Sequence, residues 1–229
     1  MISFIIPLHN EAAALSANFQ KIRKAADSLG LDYEIILAED GSTDNTRQIA
    51  GKLASAKIRL LASEKKLGRG LALNNAIKAA KGDIVVYMDA DLATDLKHLK
   101  ELIREVENGA DISTGSRLAP GSKVHSRSFL REFFSRGYNL MLRALFRTSI
   151  HDHQCGFKAF RKSKILHLLN EVEDKHWFWD SELLIRAQKN GLKVTEIPVE
   201  WTDSKGSSVR LSTDIPAMGL SALLLRLRL

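Results

Sequence analysis

The chain has 229 residues, 45% of them hydrophobic, which suits one well-packed domain with or without an appendage. A single cysteine, Cys155, excludes an intrachain disulfide framework, and the first residues lack the basic region of a signal peptide, so a reducing, cytoplasmic location is expected. The sequence contains no apolar run of about 18 residues, so no transmembrane helix is predicted. The net charge of +7, concentrated in 117–147 and 204–228, indicates an anionic partner. Nucleic acid is not expected, since no DNA- or RNA-binding motif occurs.

Strands and helices are predicted to alternate through the first half of the chain. Continuous apolar or aromatic segments predict four buried strands, at 2–6, 33–40, 58–63 and 83–91. The first of these strands is expected to end at Pro7. Helical spacing predicts helices within 11–30, 41–55, 68–82 and 96–109. This order is typical of βαβ units and predicts an α/β fold with a mostly parallel sheet flanked by helices.

Polar clusters follow three of the predicted strands. They are His9–Glu11, Glu39–Gly41 and Asp89–Asp91. In open parallel sheets the ligand lies outside the carboxyl ends of the strands, where these clusters would meet. A solvated loop would explain any one cluster, but three at equivalent positions predict a binding site.

Asp89 and Asp91 are two carboxylates one residue apart at the end of a buried strand. Their mutual repulsion costs free energy unless a cation neutralises them. Oxygen ligands favour Mg²⁺ or Mn²⁺, which also bind phosphate oxygens. An isolated D-x-D pattern is common by chance. Here it follows a predicted βαβαβ unit, and this position makes the pattern more specific.

The motifs resemble those of the family 2 glycosyltransferases, which have the Rossmann-like GT-A fold. The segments that carry this resemblance are IIPLHNE (5–11), AEDGSTDNT (38–46), GRGLALNNAIKAAKGD (68–83) and MDADLAT (88–94). Later segments resemble the dolichyl-phosphate glucose and dolichyl-phosphate mannose synthases: GSR (115–117), DHQCGFKAFRKS (152–163), WFWDSELLIRAQKNGLKVTEIPVEW (177–201) and SSVR (207–210).

The resemblance implies roles for individual residues. The nucleotide sugar would be bound by Pro7, His9, Glu11, Asp40, Asp89, Ala90, Asp91, Arg117 and Arg210. Within this set Asp40 would contact the base, Asp89 and Asp91 would hold the metal and diphosphate, and Arg210 would close over the site. Arg131 and Ser135 would bind the phosphate of the acceptor lipid. The residues implied in catalysis are Asp89, Asp91, Arg117 and Arg131.

Three positions depart from the family pattern. Glu39 stands where an Asp-Asp pair is usual, although Asp40 remains. Ala93 replaces a glutamine that often contacts the metal in mannose synthases, which favours the glucose type without deciding the sugar. Ser208 replaces a frequent lysine and puts one phosphate contact in doubt, a contact that Lys205 could supply.

Asp180 and Glu182 are candidates for a catalytic base. A phosphate acceptor is already ionised near neutral pH and needs no strong base, so a structural or positioning role is favoured for both. Cys155 is expected to be a small buried residue and no zinc site is expected at His151 or His153. Gly68 and Gly70 are expected to allow a turn beside the donor.

The segment 126–148 carries aromatic and leucine residues with arginines between them. It predicts an amphipathic helix that either packs on the domain or lies at a membrane interface. The tail 212–229 poses the same choice, with a partner chain as a third possibility. The predicted organisation is a GT-A domain over 1–211, which includes 126–148, followed by an amphipathic tail over 212–229.

The predicted function is that of an inverting glycosyltransferase. A hexose would move from a UDP-glucose or GDP-mannose type of donor to a polyprenyl (dolichyl-type) phosphate, whose phosphate attacks the anomeric carbon. The protein would associate peripherally with the cytoplasmic membrane face, and its oligomeric state is left open. One alternative is a soluble family 2 enzyme acting on a saccharide or protein hydroxyl, with Asp180 or Glu182 as the base. Another is a non-catalytic nucleotide-sugar-binding protein, which the intact Asp89 and Asp91 disfavour.

Overall fold

A computed structural model describes residues 1–203, 210 and 212–229. Its strands are β1 (Ile2–Leu8), β2 (Tyr33–Asp40), β3 (Ile58–Ser63), β4 (Ile84–Met88), β5 (Ile112–Ser116), β6 (Lys123–His125), β7 (Phe157–Arg161), β8 (Val194–Pro198) and β9 (Glu200–Thr202). Its α-helices are α1 (Leu15–Ser28), α2 (Thr46–Leu53), α3 (Arg69–Ala79), α4 (Leu99–Glu107), α5 (Phe129–Phe146), α6 (Lys162–Ile165), α7 (Leu168–Glu171), α8 (Trp179–Lys189) and α9 (Asp214–Arg228). A 3₁₀ helix, Leu96–His98, precedes α4.

Seven strands form the central sheet in the order β3-β2-β1-β4-β7-β5-β8. Strand β7 runs antiparallel to its two neighbours, β4 and β5, and every other neighbouring pair is parallel. The sheet is therefore mostly parallel with helices packed on it, and the predicted fold class is confirmed. Strands β6 and β9 pair in a separate two-stranded ribbon.

The predicted end of the first strand at Pro7 is wrong, because β1 continues to Leu8. Pro7 pairs in register with Ala38 of β2. On its other side, β1 pairs with β4 only as far as Ile5. A proline beyond that point removes no hydrogen bond of the β1–β4 ladder, so the strand tolerates it.

Alternate residues of the strands face two helical layers. Phe4 and Ile6 of β1 belong to a core that includes Phe19 of α1 and Leu102 of α4. Ile5 points to the opposite face, into a core that includes residues of α3 and α8. Since both faces of the sheet are covered, its central strands are mostly apolar, and the few polar side chains within them, such as Ser3 and Lys158, are buried.

A third core joins α5, α8 and α9. Its buried side chains are Tyr138, Leu142, Phe146, Phe178, Ile185, Met218, Ala222 and Leu225. One face of the C-terminal helix α9 therefore docks on the domain, which was one of the alternatives for the tail. Within residues 1–203, 210 and 212–229, no helix has the length and apolar character needed to cross a membrane.

Candidate active site

One cavity of about 800 Å³ opens at the carboxyl ends of β1, β2 and β4. Every site residue named from the sequence lines it: Pro7, His9, Glu11, Asp40, Asp89, Ala90, Asp91, Arg117, Arg131, Ser135 and Arg210. These residues come from segments up to about 200 positions apart, and the parallel sheet brings them together. Lys205 and Ser208, which were discussed as phosphate contacts, lie outside the described residues.

The loops that follow β1 and β2 are hydrogen-bonded to each other. The backbone N–H of Glu11 donates to Thr46 Oγ1 at 2.7 Å, and that of Asn10 donates to Ser42 Oγ at 3.0 Å. His9 Nδ1 donates to the carbonyl of Asp40 at 2.9 Å. Because side chains of one loop bind the backbone of the other, two of the three predicted polar clusters form one wall of the cavity.

The carboxylate of Asp40 is committed to the backbone of the segment that leads into α3. Its Oδ1 accepts from Leu67 N at 2.6 Å and its Oδ2 from Gly68 N at 3.0 Å. Asp40 lies at the cavity wall, where a base contact was expected, but its bonds within the protein hold the next loop. This anchoring role was not predicted.

Asp89, Asp91 and Glu11 form the acidic end of the cavity. Burial, together with the negative charges of Asp91, Asp89 and Asp44, raises the pKa of Glu11 to about 7. Asp89 also lies against Gly156, where any Cβ would overlap its carboxylate. Glu11, Asp89 and Asp91 therefore place three carboxyl groups at this end of the cavity.

The acidic end suits a hard divalent ion whose coordination shell is completed by a bound substrate. Asp89 and Asp91 supply carboxylate oxygens, the donor type that Mg²⁺ and Mn²⁺ prefer. In the part of the chain that is described, no three His, Cys, Asp or Glu side chains converge on a common metal position. This fits an ion held by one or two carboxylates plus phosphate oxygens and water, as is usual for Mg²⁺ at phosphate sites.

Arginines form a basic end of the cavity, next to Trp201. Arg117 forms a bidentate ion pair with Asp152, with Nε to Oδ2 at 2.6 Å and Nη2 to Oδ1 at 2.8 Å. Burial opposes ionisation of Asp152, but the charge of Arg117 holds its pKa well below the usual range. The guanidinium of Arg127 lies on the ring of Trp201 at 5.5 Å, the same distance as that of Arg117. Burial and the charge of Arg117 lower the pKa of Arg127, which also pairs with Glu132 at 2.8 Å.

Helix α5 presents Arg131, Ser135 and Tyr138 to the cavity. Their spacing of four and then three residues places them on one face of the helix. Ser135 is buried, and its Oγ has no hydrogen-bond partner among residues 1–203, 210 and 212–229. A buried hydroxyl left unpaired beside arginines is suited to an anionic ligand. Arg210, which is exposed, lines the same cavity.

The cavity continues into an apolar part between α5, α9 and the start of α8. The side chains that line this part are Phe134, Tyr138, Trp177, Phe178, Ile215, Ala217 and Met218. The cavity therefore combines an acidic end, a basic end and an apolar extension, which together suit two anionic ligands, one of them with a hydrocarbon portion.

Both candidate bases are engaged by other groups of the protein. Asp180 Oδ1 accepts from Lys158 Nζ at 2.9 Å and from the hydroxyl of Tyr87, and its Oδ2 accepts from Arg69 at 2.7 Å. Although burial opposes it, the charges of Lys158 and Arg69 lower the pKa of Asp180.

Glu182 is likewise committed within the protein. It accepts from Arg186 Nε at 2.8 Å and from Asp174 N at 2.9 Å. These bonds support the positioning roles that the sequence favoured for both carboxylates.

The cavity residues that the sequence did not single out include Arg69, Arg127, Trp177 and Trp201. Arg69 stands between Gly68 and Gly70, and an arginine flanked by two glycines was the available signal. The two tryptophans lie in segments that the resemblance covered, but nothing in their local pattern indicates a cavity.

Solved structures share this fold. Glucosyl-3-phosphoglycerate synthase from Mycobacterium tuberculosis, crystallised with Mn²⁺, UDP and phosphoglyceric acid, is 20% identical, with a TM-score of 0.73. The match covers 99% of this chain and 78% of that one. The complex of the same enzyme with Mn²⁺, UDP and glucosyl-3-phosphoglycerate gives a TM-score of 0.71 at 19% identity, over 99% and 79% of the two chains. Identities this low establish the likeness of the fold.

Curated relatives match nearly the whole chain. Glycosyltransferase AglD of Haloferax volcanii is 44% identical over 223 residues, which are 95% of this chain and 36% of the relative. Dolichyl-phosphate beta-glucosyltransferase of Dictyostelium discoideum is 31% identical over 236 residues, covering 93% and 72%. Dolichyl-phosphate beta-glucosyltransferase ALG5C of Trichomonas vaginalis is 30% identical over 223 residues, covering 92% and 66%. The chain thus spans about a third of AglD and about two thirds of ALG5C.

The family comparison agrees with these relatives. The family model described as "Glycosyl transferase family 2" matches residues 3–169, which include β1 to β4, Asp89 and Asp91, Arg117, and the helix α5. The match covers well over half of the chain. The chain therefore belongs to glycosyl transferase family 2.

Proposed function

We propose that the chain is an inverting hexosyltransferase that moves a sugar from a nucleotide diphosphate to a polyprenyl phosphate. The observation that carries the proposal is one cavity that combines a carboxylate pair, arginines, the unpaired hydroxyl of Ser135 and an apolar extension. The acidic end suits a metal-bound diphosphate, the basic end suits a second phosphate, and the apolar part suits a prenyl chain. The names of the relatives from Dictyostelium and Trichomonas support the same acceptor class.

A glucosyl donor and a divalent cofactor are the finer parts of this proposal. UDP-glucose is the first donor to test, because the two dolichyl-phosphate relatives are glucosyltransferases and Ala93 stands where mannose synthases often have glutamine. Asp89 and Asp91 would hold Mn²⁺ or Mg²⁺, and such an ion neutralises charge on a departing diphosphate. The presence of Mn²⁺ and UDP in the structurally similar synthase supports this choice.

The chemistry that the chain's own residues supply is mainly electrostatic. An oxygen of the acceptor phosphate forms a bond to the anomeric carbon while the bond from that carbon to the diphosphate breaks, and the bonding electrons leave with the diphosphate. Direct displacement from the opposite side inverts the configuration. Arg131 and Ser135 orient the attacking phosphate. Arg117 stabilises the negative charge of the departing diphosphate. No proton has to be removed from the attacking phosphate, which agrees with the engagement of Asp180 by Lys158 and Arg69.

The membrane is the proposed source of the acceptor, because polyprenyl phosphates reside in bilayers. We place the chain peripherally at the cytoplasmic membrane face, with α5 and α9 nearest the lipid. This placement is supported by the exposed apolar side chains on both helices.

The test offers a panel of nucleotide sugars with a short polyprenyl phosphate and Mn²⁺, and detects the product by mass. Matched acceptors are the corresponding prenol, which lacks the phosphate, and a soluble saccharide. We expect transfer to the prenyl phosphate and not to the prenol. Transfer to the saccharide without transfer to the prenyl phosphate would contradict the proposal and favour an enzyme that acts on a hydroxyl.

Arg131→Ala separates the two substrates in the same assay. Loss of a charge-assisted hydrogen bond should raise the apparent KM for the prenyl phosphate about tenfold or more, with UDP affinity nearly unchanged. Arg104→Ala on α4 is the matched control, since Arg104 is exposed and is not among the cavity residues. An equal loss of UDP affinity in Arg131→Ala would place Arg131 at the donor.

A further inference from the structure

Arg69 is held at the cavity by an unusually constrained segment. Asp40 binds the backbone N–H groups of Leu67 and Gly68, and the carbonyl of Lys175 accepts from Gly70 N at 2.9 Å. Helix α3 begins at Arg69, so its first residue is fixed by bonds to the end of β2 on one side and to the segment before α8 on the other. The position of Arg69 is therefore determined before any ligand binds.

The two glycines beside Arg69 make this close approach feasible. Gly68 has φ +107°, a conformation that strongly favours glycine, and a Cβ there would overlap the carbonyl of Lys175. A Cβ at Gly70 would lie 2.6 Å from Trp179 Cβ. A side chain at either position would push α3 away from α8 and withdraw Arg69 from the cavity.

The guanidinium of Arg69 bridges two carboxylates. Nη2 donates to Asp89 Oδ1 and Nη1 donates to Asp180 Oδ2, each at 2.7 Å. The same group lies over the rings of Tyr87 and Trp177, at 5.4 and 5.7 Å from their centroids. The side chains of Arg69 and Asp180 are 16% and 4% exposed, so solvent screens that pair weakly, whereas Asp89 is 42% exposed and can still be reached from the cavity.

These contacts form a chain of alternating charge that runs from the core to the cavity. Lys158 pairs with Asp180, Asp180 with Arg69, and Arg69 with Asp89. The charges of the two positive and two negative groups cancel. In the ligand-free protein, Asp89 thus already has a cation, and that cation is part of the protein.

We infer that Arg69 keeps divalent metal off Asp89 until the nucleotide diphosphate arrives. This inference rests on the proposed function. A metal ion that approaches Asp89 alone meets the positive charge of Arg69, which lowers its affinity. A diphosphate brings negative charge that attracts both the ion and Arg69, so metal and nucleotide bind together, and Arg69 contributes to holding the diphosphate.

The test measures Mn²⁺ binding to the nucleotide-free protein by the loss of the free-ion electron paramagnetic resonance signal. Removing the charge in Arg69→Gln should strengthen Mn²⁺ binding about tenfold or more and weaken UDP binding. Arg69→Lys keeps the charge and should bind Mn²⁺ as the wild type does. A residue that only shapes the site would lower both affinities when it is replaced, so effects of opposite sign distinguish the two roles.

Arg59→Gln is the matched control. Arg59 pairs with buried Glu34 at 2.9 Å, as Arg69 pairs with buried Asp180, but it is not among the cavity residues. This variant removes the same charge and should leave Mn²⁺ affinity unchanged. Unchanged or weaker Mn²⁺ binding in Arg69→Gln, with UDP binding intact in the wild type, would overturn the inference and leave the proposed function standing.

The wild type keeps the inference testable if Arg69→Gln does not fold, as judged by circular dichroism. After correction for the Mn²⁺ that UDP binds without the protein, UDP should then strengthen Mn²⁺ binding to the wild type about tenfold or more, and Mn²⁺ binding as tight without UDP as with it would overturn the inference. A wild type that binds UDP neither with nor without Mn²⁺ would overturn the inference and the proposed function together.

Discussion

Lys158 lies on the central strand β7 with its side chain fully buried. Its Nζ donates to Asp180 Oδ1, to the carbonyl of Cys155 at 2.5 Å and to the hydroxyl of Tyr87 at 3.3 Å. A buried ammonium of this kind is stable only while its carboxylate partner remains ionised beside it. Asp180 is therefore as important to the fold as it is to the cavity.

Asp180→Asn should lower the free energy of unfolding by about 3–5 kcal/mol, because it leaves Lys158 buried without a counter-ion. Urea denaturation followed by circular dichroism measures this change. Asp83→Asn is the control, since Asp83 is an exposed carboxylate at the start of β4, and it should change stability by less than about 0.5 kcal/mol. An Asp180→Asn variant with wild-type stability and no transferase activity would instead indicate that Asp180 acts as a base.

Individual residues were predictable where the signal is local. Asp89 and Asp91 follow one apolar strand, so a short stretch of sequence indicated both their position and their need for a cation. Arg69 was not predicted as a site residue because its partner Asp180 lies 111 positions away, and no local pattern joins them. Arg127 was included only as part of an amphipathic segment, and its contact with Trp201 depends on the pairing of β6 with β9.

At the level of elements, the bounds of β2 and β3 agree with the prediction because each has an apolar centre that lies between polar turns. The orientation of α5 could not be predicted, since its apolar residues surround most of the helix. The structure buries Tyr138, Leu142 and Phe146 and leaves a second apolar face exposed. That face comprises Phe129, Leu130, Phe133, Gly137, Leu140 and Ala144.

Helix α9 has a similar division. Met218, Ala222 and Leu225 face the domain. The exposed face comprises Pro216, Ala217, Leu220, Leu223, Leu224 and Leu227. Exposed apolar faces on two helices that pack against each other are typical of a surface that binds lipid or protein. Because the proposed acceptor is a lipid and the cavity extends between these helices, we expect both faces to contact the bilayer.

Leu140→Ser and Leu223→Ser should each weaken binding to lipid vesicles about tenfold, since each removes an apolar side chain from the contact. Sedimentation with vesicles measures the effect. Leu31→Ser is the matched control, because Leu31 is 45% exposed and lies between α1 and β2, outside α5 and α9. Thermal unfolding should be nearly unchanged in all three variants. Loss of stability without loss of vesicle binding would show that these faces are covered within the protein.

At the level of the whole molecule, the alternation of strands and helices predicted the mostly parallel sheet. The antiparallel strand β7 was not predicted, because strand direction depends on pairing between segments that are distant in sequence, here β4 and β5. The cavity follows from this arrangement, since β7 brings Gly156 and Lys158 next to Asp89 and Asp180. Local patterns therefore indicated the acidic end, whereas its connection to the basic end required the folded chain.

The distribution of charge over the molecule gives the last prediction. Exposed arginines flank both apolar faces, with Arg136 and Arg143 on α5 and Arg226 and Arg228 on α9. Each basic residue near an anionic membrane contributes roughly 1 kcal/mol, and this attraction decays within a Debye length. That length falls from about 10 Å to about 3 Å as salt rises from about 0.1 M to about 1 M.

The wild-type chain should therefore bind anionic vesicles more tightly than neutral ones and lose most of this difference at high salt. A residual, salt-independent fraction should remain bound through the apolar faces, because their burial involves no charge. Flotation of the protein with vesicles of both compositions, over a series of salt concentrations, measures both parts. Equal binding to the two compositions at every salt concentration would exclude the electrostatic contribution. Absence of binding to either composition at low salt would contradict the membrane placement and favour a soluble acceptor.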